Sequence, residues 1–512
     1  MVKNSPNYLD LFDTTILLER ELLLLLQKEN RWFSTEEISE ALEVKNNTAL
    51  RIIKRLEGDI LEISENSLEL QLSKGKGARL AKDIDEDIKK FLGIIFSRTP
   101  IMQMVISIFN GEFGTVKRYA QNNFISEATV RRHLIKIRKF LEPYQIQIAR
   151  DTAEVKGKES QIRMFLNLMY WRLYAGTAWP FQGIEQHSVY NVVNRFLDSI
   201  NSSSISEIYR QRIAYYIGVT LIRTRKGNFV QFQPEWDIYV NENDSYQEFE
   251  EIMKEFRGDL NTTYPEIPFH YIVWTSFFSS YTVSKFIPQF IESQVKKKSI
   301  LYKTTRLMLT EFEKFFFPIP RDNYELLESY VYCTHSFCHN FWNFNTEIVP
   351  LVLSKKVPIL ESKLAYFIDY LYKVSGSPIF LERNQLIYRY FLFFSHIENI
   401  MKYEEKIYLI LESDLPTVLK KNIMDSITHY LGTQFNISFV TDNKAVLSQP
   451  VDIVLTTNAS STVDKKYIDT KIVNVNRILS ISDINRVVEV CQETIEKNQN
   501  LLERRKYLHH KS

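Results

Sequence analysis

Basic side chains that could hold phosphate recur along one stretch in the first third of the chain. Residues 113–141 include seven lysines or arginines and a single acidic residue, Glu127. The apolar residues of this stretch recur at helical spacing and are predicted to face a core: Val130, Leu134, Ile137 and Leu141. At about 100° per residue the opposite face carries the candidate contacts Arg132, Lys136 and Lys139, with Thr129 and Arg131 as further candidates. Such a patch supplies most of the non-specific affinity for nucleic acid.

An earlier stretch, residues 44–56, has the same character, with four basic residues and no acidic one. The residues predicted to point outward are Asn47, Thr48, Arg51, Lys54 and Arg55. Asparagine, threonine and arginine near the start of a helix can reach base edges, whereas lysine more often contacts phosphate. Lys76, in a Gly-Lys-Gly turn further along, is one more candidate phosphate contact.

Each basic stretch is predicted to belong to a set of elements in the order helix, break, helix and hairpin. Ser34 and Glu37 have the spacing of a capping box at the start of the first set. The predicted elements are helices over residues 34–42 and 48–57 with a hairpin over 61–72 that turns at Asn66-Ser67, then helices over 114–122 and from Ser126 with a hairpin over 146–155. One basic helix is equally well explained by a solvated surface. Two in the same frame favour tandem winged helix-turn-helix units on duplex DNA.

The composition is that of a globular protein with several domains. A length of 512 residues suggests roughly three to five domains. Few glycines and prolines (14 and 15), with 34 phenylalanines and 28 tyrosines, favour a mainly helical, aromatic-packed interior. A net charge of +2 means that attraction to nucleic acid must come from local patches. Three scattered cysteines, a polar start and short apolar runs predict a cytoplasmic protein without a membrane partner.

The remainder of the chain divides into a helical part and a C-terminal part that alternates strands with helices. Residues 160–403 are predicted to form consecutive helices, and the similar aromatic helices at 269–286 and 379–400 suggest two related bundles. Towards the C-terminus, short apolar runs alternate with helices at 415–431 and 482–497, which predicts a small parallel α/β domain. The predicted strands are residues 407–411, 435–440, 453–456 and 471–475.

The second helix-turn-helix and its wing resemble those of a known family. Residues 126–133, Ser-Glu-Ala-Thr-Val-Arg-Arg-His, and 155–163, Val-Lys-Gly-Lys-Glu-Ser-Gln-Ile-Arg, are similar to the Mga/AtxA family of Gram-positive transcription regulators. The layout matches over nearly the full length. The resemblance implies two winged helix-turn-helix domains (1–82 and 83–160), two helical-bundle PTS regulation domains of the sugar phosphotransferase system (161–292 and 293–403), and an enzyme IIB-like α/β domain (404–512).

The resemblance also implies control by phosphoryl transfer to histidines of the helical domains. Its donors would be the phosphocarrier protein HPr or sugar-specific PTS enzymes. The candidate acceptors are His187, His270 and His396, and His335 and His339 are the other histidines considered. A phosphorylated imidazole adds charge and acceptor oxygens at one point of an interface. For any one of these histidines, a packed or merely exposed side chain is the plainer interpretation.

The C-terminal domain departs from the enzyme that it resembles. A working enzyme IIB of this type has a cysteine directly after its first strand, where this chain has Glu412-Ser-Asp-Leu-Pro416 with two carboxylates that would repel phosphate. The resemblance therefore implies a domain that supports a homodimer, and no catalytic residue is predicted. Residues 333–339 hold two cysteines and two histidines, but no second ligand pair follows at a suitable spacing, so neither a metal nor a cofactor is predicted.

The sequence therefore predicts a cytoplasmic, dimeric global regulator of transcription, of the virulence-regulator type, that binds double-stranded DNA and responds to histidine phosphorylation. Two alternatives stay open. A phosphotransfer component of the PTS is disfavoured by the missing loop cysteine. An RNA-binding antiterminator shares the regulatory domains but begins with a small β-rich domain, whereas residues 1–80 predict helices with one hairpin.

Overall fold

The computed structural model describes most of the chain, and the described part falls into two compact units. The described residues are 8–63, 68–82, 88–150, 152–174, 176–202, 205–280, 284–346, 357–440, 451–458, 461–468 and 470–509. Unit 1 comprises Met1–Phe317, Asp322–Ile348 and Ser375–Gln385. Unit 2 comprises Pro318–Arg321, Val349–Val374 and Leu386–Ser512.

Helices make up most of the described chain, which confirms the mainly helical prediction. They are α1 Thr14–Lys28, α2 Thr35–Ala41, α3 Asn46–Ile63, α4 Ile88–Arg98, α5 Pro100–Phe109, α6 Val116–Asn122, α7 Glu127–Leu141, α8 Glu159–Tyr174, α9 Gln186–Ser199, α10 Glu207–Thr224, α11 Asp237–Val240, α12 Asp244–Leu260, α13 Ile267–Ser276, α14 Phe286–Lys297, α15 Ile300–Phe315, α16 Tyr324–Asn340, α17 Pro358–Ser375, α18 Arg383–Ile397, α19 Thr417–Leu431, α20 Ser461–Lys466 and α21 Ile481–His509. The strands are β1 Leu68–Ser73, β2 Gly77–Lys82, β3 Gln147–Ile148, β4 Val155–Lys156, β5 Lys406–Glu412, β6 Asn436–Phe439, β7 Ile453–Thr456 and β8 Lys471–Asn474.

The first set of elements runs from α1 to the β1–β2 hairpin. The predicted capping box is present at α2: the Glu37 N–H donates to Ser34 Oγ at 3.1 Å, and the Ser34 N–H donates to the Glu37 carboxylate at 2.7 Å. Behind it, α1 packs against α3 through their apolar faces. The apolar face of α3 is thus covered by α1, and its basic residues lie on one continuous helix.

The end of α3 differs from the prediction. The helix continues to Ile63, so a hairpin beginning at residue 61 is wrong. Leu56 and Ile60 are both buried and extend the four-residue helical spacing, whereas Leu61 is 80% exposed. The apparent alternation after residue 61 therefore begins inside the last turn of a helix.

The hairpin itself lies further along the chain. β1 pairs antiparallel with β2, from Leu68 opposite Lys82 to Ser73 opposite Gly77. The turn falls on Lys74-Gly75-Lys76, with a φ of 82° at Gly75 that favours glycine. Asn66-Ser67, the predicted turn, lies outside the described residues. Lys76 is consequently at the tip of the hairpin.

The second set follows the predicted order. The connecting segment is the helix pair α4 and α5, which packs in part against α7 and α8. α6 and α7 then form a helix-turn-helix, with Phe124 in the turn at a φ of 53°. β3 and β4 pair antiparallel through Ile148 and Val155, as predicted for the short hairpin.

The helical remainder of unit 1 has an aromatic core, but one predicted helix is broken. Residues 269–286 are divided between α13, which ends at Ser276, and α14, which begins at Phe286. The hydroxyls of Ser276 and Ser280 hydrogen-bond to backbone carbonyls at 2.6 and 2.7 Å in this stretch.

Unit 2 contains the predicted parallel sheet. Its strand order is β6-β5-β7-β8, with β5 parallel to β6 and β7, and β7 parallel to β8. Buried side chains of the strands pack with α19 and α21 in one apolar core, which includes Ile407, Leu409, Ile427 and Cys491. The alternation of strand and helix predicted from the sequence is confirmed.

Within the described residues, no single helix is long and apolar enough to cross a membrane. α4 and α5 together pass the same test of length and composition, but they are bent by 75° where they meet.

Candidate nucleic-acid interface

α7 presents a basic face to solvent. Its first turn is capped by Ser126, whose Oγ accepts a hydrogen bond from the Thr129 N–H at 3.1 Å. The residues predicted to face the core are buried: Val130, Leu134, Ile137 and Leu141. Arg132 and Lys139 are exposed on the opposite side, and Arg131 is exposed on the flank, 3.5 Å from the Glu127 carboxylate. The exposed side of α7 therefore carries cations of the type that contact phosphate.

Thr129, predicted to face outward, also takes part in the N-terminal cap of α7. It is half-buried, and its Oγ1 lies 2.9 Å from Ser126 Oγ. The neighbouring α6 packs on α7 and is itself capped by Thr115. Tyr119 of α6 stacks on Phe113 with ring centroids 4.7 Å apart. Capping and stacking together fix the start of α7, the part of a recognition helix that enters a groove.

Lys136 lies differently from its prediction. It is only half-exposed, because its Nζ donates to the Phe12 carbonyl at 3.0 Å and lies 3.8 Å from the Asp13 carboxylate. A segment 124 residues earlier in the chain therefore covers it. Helical spacing alone cannot reveal such a cover. Lys136 therefore fastens the segment at Phe12 to α7.

Arg138 is a structural residue that the sequence did not single out. Its Nε donates to the Ile148 carbonyl at 3.1 Å, and its Nη2 donates to the Ala149 carbonyl at 3.0 Å. Both acceptors lie at the β3–β4 hairpin. Arg138 thus holds the hairpin against α7. In the sequence, only its position between the polar and apolar faces of the helix could have indicated this role.

The first basic helix, α3, also exposes most of its predicted residues. Asn47, Arg51 and Lys54 are exposed, while Thr48 is half-buried. At the hairpin tip Lys76 is exposed, and its Nζ lies 5.9 Å from the centre of the Trp32 ring. α3 and the tip of its hairpin therefore each offer positive charge to a partner.

Arg55 is the exception on α3. Its Nε donates to the Glu19 carboxylate at 2.9 Å and lies 3.7 Å from the Asp59 carboxylate. Glu19, on α1, is fully buried. Arg55 therefore joins α1 to α3 through a buried carboxyl group 36 residues away, although its own side chain stays 45% exposed.

Glu19 holds a proton in this environment. Burial, followed by the hydrogen bond and charge of Asp59, raises the pKa of Glu19 to about 8 against the opposing effect of Arg55. Glu19 Oε1 is buried without a hydrogen-bond partner among the described residues. The carboxyl is therefore neutral at lower pH and becomes a costly buried charge at higher pH.

This raised pKa predicts that the protein loses stability as the pH rises. A folded-state pKa above the ordinary 4.5 means that the folded chain binds the extra proton, so the contribution is present below pH 4.5 and is lost toward pH 8. Glu19→Gln, which stays neutral, should be more stable than the parent at pH 8 by on the order of 1–3 kcal/mol and should match it more closely at pH 5. Thermal unfolding followed at the two pH values measures the difference. Glu36→Gln, at an exposed glutamate of α2, is the matched control, and equal pH dependence of both variants would contradict the prediction.

The second set of elements matches a known domain family. Residues 84–170, which contain α4–α7 and the β3–β4 hairpin, match the family described as the Mga helix-turn-helix domain. The chain carries an Mga helix-turn-helix domain. The match reaches into α8, so the domain and the first helix of the helical region are continuous.

Three curated regulators from Bacillus anthracis are distant relatives of the chain. The capsule synthesis positive regulator AcpB is 20% identical over 244 residues, 47% of this chain and 50% of the relative. The anthrax toxin expression trans-acting positive regulator is 23% identical over 260 residues, 49% of this chain and 53% of the relative. The capsule synthesis positive regulator AcpA is 21% identical over 218 residues, 43% of this chain and 44% of the relative. The chain matches about half the length of these relatives.

The domain match and the relatives confirm the predicted relationship to the Mga/AtxA family. All three relatives are named as positive regulators and none as an enzyme, in agreement with the prediction that this chain is not an enzyme. The Mga helix-turn-helix domain covers α7 but not α3. The first set of elements lies outside the matched residues, so its description here comes from the structure and not from the family match.

The three candidate phosphoryl acceptors have different surroundings. His187, in the first turn of α9, and His396, near the end of α18, are exposed. His270 is buried: its Nδ1 lies 2.7 Å from the Tyr216 hydroxyl and its Nε2 lies 3.2 Å from Thr262 Oγ1. Burial, and then Arg163, lowers the pKa of His270 to about 4. Both of its ring nitrogens are thus engaged inside unit 1.

The cysteine and histidine cluster on α16 is part of a packed interior. Cys333 and Cys338 are buried, and His335 Nδ1 lies 3.1 Å from Thr305 Oγ1. Burial lowers the pKa of His335 to about 3 and also lowers the pKa of His339. In the part of the chain that the structure describes, no three histidine, cysteine or acidic side chains are grouped to hold a metal ion.

The loop after β5 is closed by ion pairs. Glu412 accepts hydrogen bonds from Lys466 at 2.8 Å and from the Tyr467 hydroxyl at 2.7 Å. Asp414 pairs with Arg477 at 3.1 Å. Lys466 and Arg477 thus both pair with carboxylates of this loop.

Proposed function

We propose that this chain is a transcription regulator that binds double-stranded DNA through α7 and α3. The observation that carries the proposal is the exposed set Arg131, Arg132 and Lys139 on the second helix of an Mga helix-turn-helix domain. The names of the relatives, all positive regulators, favour activation of transcription. A cytoplasmic location follows from that role, since the DNA must be reached.

We further propose the five-domain organisation implied by the family. The β1–β2 and β3–β4 hairpins act as wings, residues 161–292 and 293–403 are PTS regulation domains, and residues 404–512 are an enzyme IIB-like domain. The parallel sheet of unit 2 and the closed loop at Glu412 support a domain of that fold which has lost phosphotransfer. Phosphorylation of the helical domains, set by the supply of sugar, would then change the activity of the DNA-binding domains.

The experiment that tests the proposed function is a gel shift with the full chain. Random duplex DNA, enriched by repeated selection, should yield sequences that bind more tightly than the starting library. A structured RNA hairpin of matched length is the comparison. Preference for the hairpin would favour an antiterminator, and transfer of labelled phosphate onward to a sugar or a partner protein would favour a phosphotransfer component.

Phosphorylation is proposed at the exposed histidines. Incubation with phosphorylated HPr should label the chain, and His187→Gln combined with His396→Gln should remove most of the label. His270→Gln should leave it unchanged, because the buried imidazole cannot meet a protein donor. Full labelling of the double variant, measured by acid-labile phosphate, would exclude both exposed sites.

A homodimer is proposed through the C-terminal domain. Several apolar residues of this domain are strongly exposed: Val418, Ile468, Ile478 and Ile481. Covering such residues in a second copy would remove apolar surface from water. Val418→Asp with Ile478→Asp should reduce the mass found by sedimentation, and an unchanged dimer would show that the interface lies elsewhere.

A further inference from the structure

An aliphatic side chain lies in the middle of the basic face of α7. Ile135 is 66% exposed, and Ala128 on the same side is also exposed. On a helical projection Ala128, Arg132, Ile135 and Lys139 fall within about 60°. Ile135 therefore shares one outward ridge with two of the cations proposed to contact DNA.

Exposure alone does not make this residue unusual, because single apolar side chains are common on protein surfaces. Its position does. Lysine, arginine or a polar residue would be the ordinary occupant of a ridge that meets only water or phosphate. An isoleucine flanked by cations is suited to a partner whose surface has an apolar group surrounded by negative charge.

Duplex DNA offers such a partner in its major groove. The phosphates supply the surrounding negative charge, and the 5-methyl group of thymine is the apolar group among the base edges exposed there. Isoleucine is stiff at χ1 in a helix, so its methyl groups are held in place before binding. Contact would then remove apolar surface on both partners from water at small entropic cost.

The first basic helix repeats the combination. Leu50 of α3 is 44% exposed and falls within about 60° of Asn47 and Lys54 on a helical projection. The spacing is the same in both helices, because Asn47, Leu50 and Lys54 stand three and four positions apart, as do Arg132, Ile135 and Lys139. Only the first residue differs, an asparagine in α3 and an arginine in α7. Two outward ridges with an aliphatic residue at the same position among polar and basic ones suggest a shared way of reading bases.

We propose that Ile135 is a sequence-reading residue that contacts the 5-methyl group of a thymine in the major groove. The proposal rests on the proposed DNA binding and adds the base that α7 selects. Lys139 and Arg132 contact phosphate on either side of it, and Leu50 has the corresponding role in α3.

The test replaces thymine by deoxyuridine, which lacks only the 5-methyl group. Duplexes enriched by selection with the full-length chain are resynthesised with one deoxyuridine at a time, and their binding is measured by fluorescence anisotropy at fixed salt. The wild-type chain should lose about fourfold in affinity at one or more thymines, as expected for removing one methyl contact. Ile135→Ala should bind the thymine duplex more weakly and show no difference between thymine and deoxyuridine at that position.

Two controls make the result specific. Leu61→Ala removes another strongly exposed aliphatic side chain, from the end of α3, and should retain the wild-type ratio at every position. Ile135→Ala should also leave the slope of log affinity against log salt unchanged, because no phosphate contact is removed.

The outcomes separate this inference from the function on which it rests. If selection enriches no duplex, the proposed function fails and the inference fails with it. If a duplex is enriched but Ile135→Ala keeps the full thymine preference at every position, DNA binding stands and the role of Ile135 is overturned. A smaller sedimenting mass for Ile135→Ala would assign the residue to a protein interface and would equally overturn it.

Discussion

Alanine at both Arg132 and Lys139 is expected to weaken binding of duplex DNA by roughly tenfold or more at physiological salt. Each cation that contacts a phosphate releases condensed counterions on binding. Removing two such contacts should lower the slope of log affinity against log salt by about two. Both residues are exposed on α7 and lie opposite its buried face, so the substitutions should leave the fold unchanged.

The matched control removes the same charge from another part of the chain. Lys296 and Lys303, on α14 and α15, are exposed. Lys296→Ala with Lys303→Ala should change affinity and salt slope only slightly, since screening limits the effect of distant charges. If both double variants lose affinity equally, the attraction reflects overall charge and not the face of α7.

Alanine at Glu266 is expected to destabilise the protein by about 3–5 kcal/mol, the cost of breaking a buried ion pair. Glu266 and Arg163 are both fully buried and form an ion pair. The same carboxylate accepts from the Val230 N–H at 2.8 Å and from Thr262 Oγ1 at 2.7 Å. Removing it would leave Arg163 with the Asn228 carbonyl, at 2.9 Å, and the carboxylate of Glu159, at 3.3 Å, which Arg223 already shares.

Acid should weaken the same network. Burial disfavours the charged form of Glu266, but Arg163 and the Val230 N–H outweigh it and hold the pKa of Glu266 below its ordinary value. The stability that it contributes is therefore present above pH 4.5 and is lost as the pH falls. Protonation of His270, whose pKa burial lowers to about 4, adds to the loss, because the unfolded chain binds that proton more readily.

Denaturant unfolding measures the effect of Glu266→Ala. Glu251→Ala, which breaks the exposed pair with Lys254 on α12, is the control and should cost less than about 0.5 kcal/mol. Glu266→Gln separates charge from shape, since it retains an acceptor for Thr262 but not the negative charge. A Glu266→Ala protein as stable as the Glu251→Ala protein would mean that the buried network does not hold unit 1 together.

The elements predicted correctly from the sequence are those whose signal is local. The capping box at Ser34 and Glu37 and the buried stripe of α7 both depend on residues within a few turns of one another. The strands of the C-terminal sheet were predicted well for the same reason, because short buried runs alternate with helices. The prediction of a hairpin over residues 61–72 was wrong at its start, because helical and strand spacing agree there for a few residues. Ile60 is buried as part of the helical stripe.

The outward faces of α3 and α7 could be predicted from the sequence, but the partners of two residues on them could not. Arg55 and Lys136 have the correct residue type and face, yet their partners lie 36 and 124 residues away. The Arg163 and Glu266 pair spans 103 residues and left no periodic trace. Periodicity identifies which side of a helix is polar. It does not identify which polar side chains another segment of the fold has already engaged.

Directed cleavage of bound DNA tests most directly whether α7 enters the groove. The three native cysteines are buried, so Lys139→Cys offers a single exposed thiol for an iron chelate that cuts nearby DNA. We predict cuts confined to the selected binding site, and none above background from the same reagent at Lys296→Cys. If both labelled proteins bind the duplex but position 139 cuts it no more than position 296, α7 is not the helix that meets DNA.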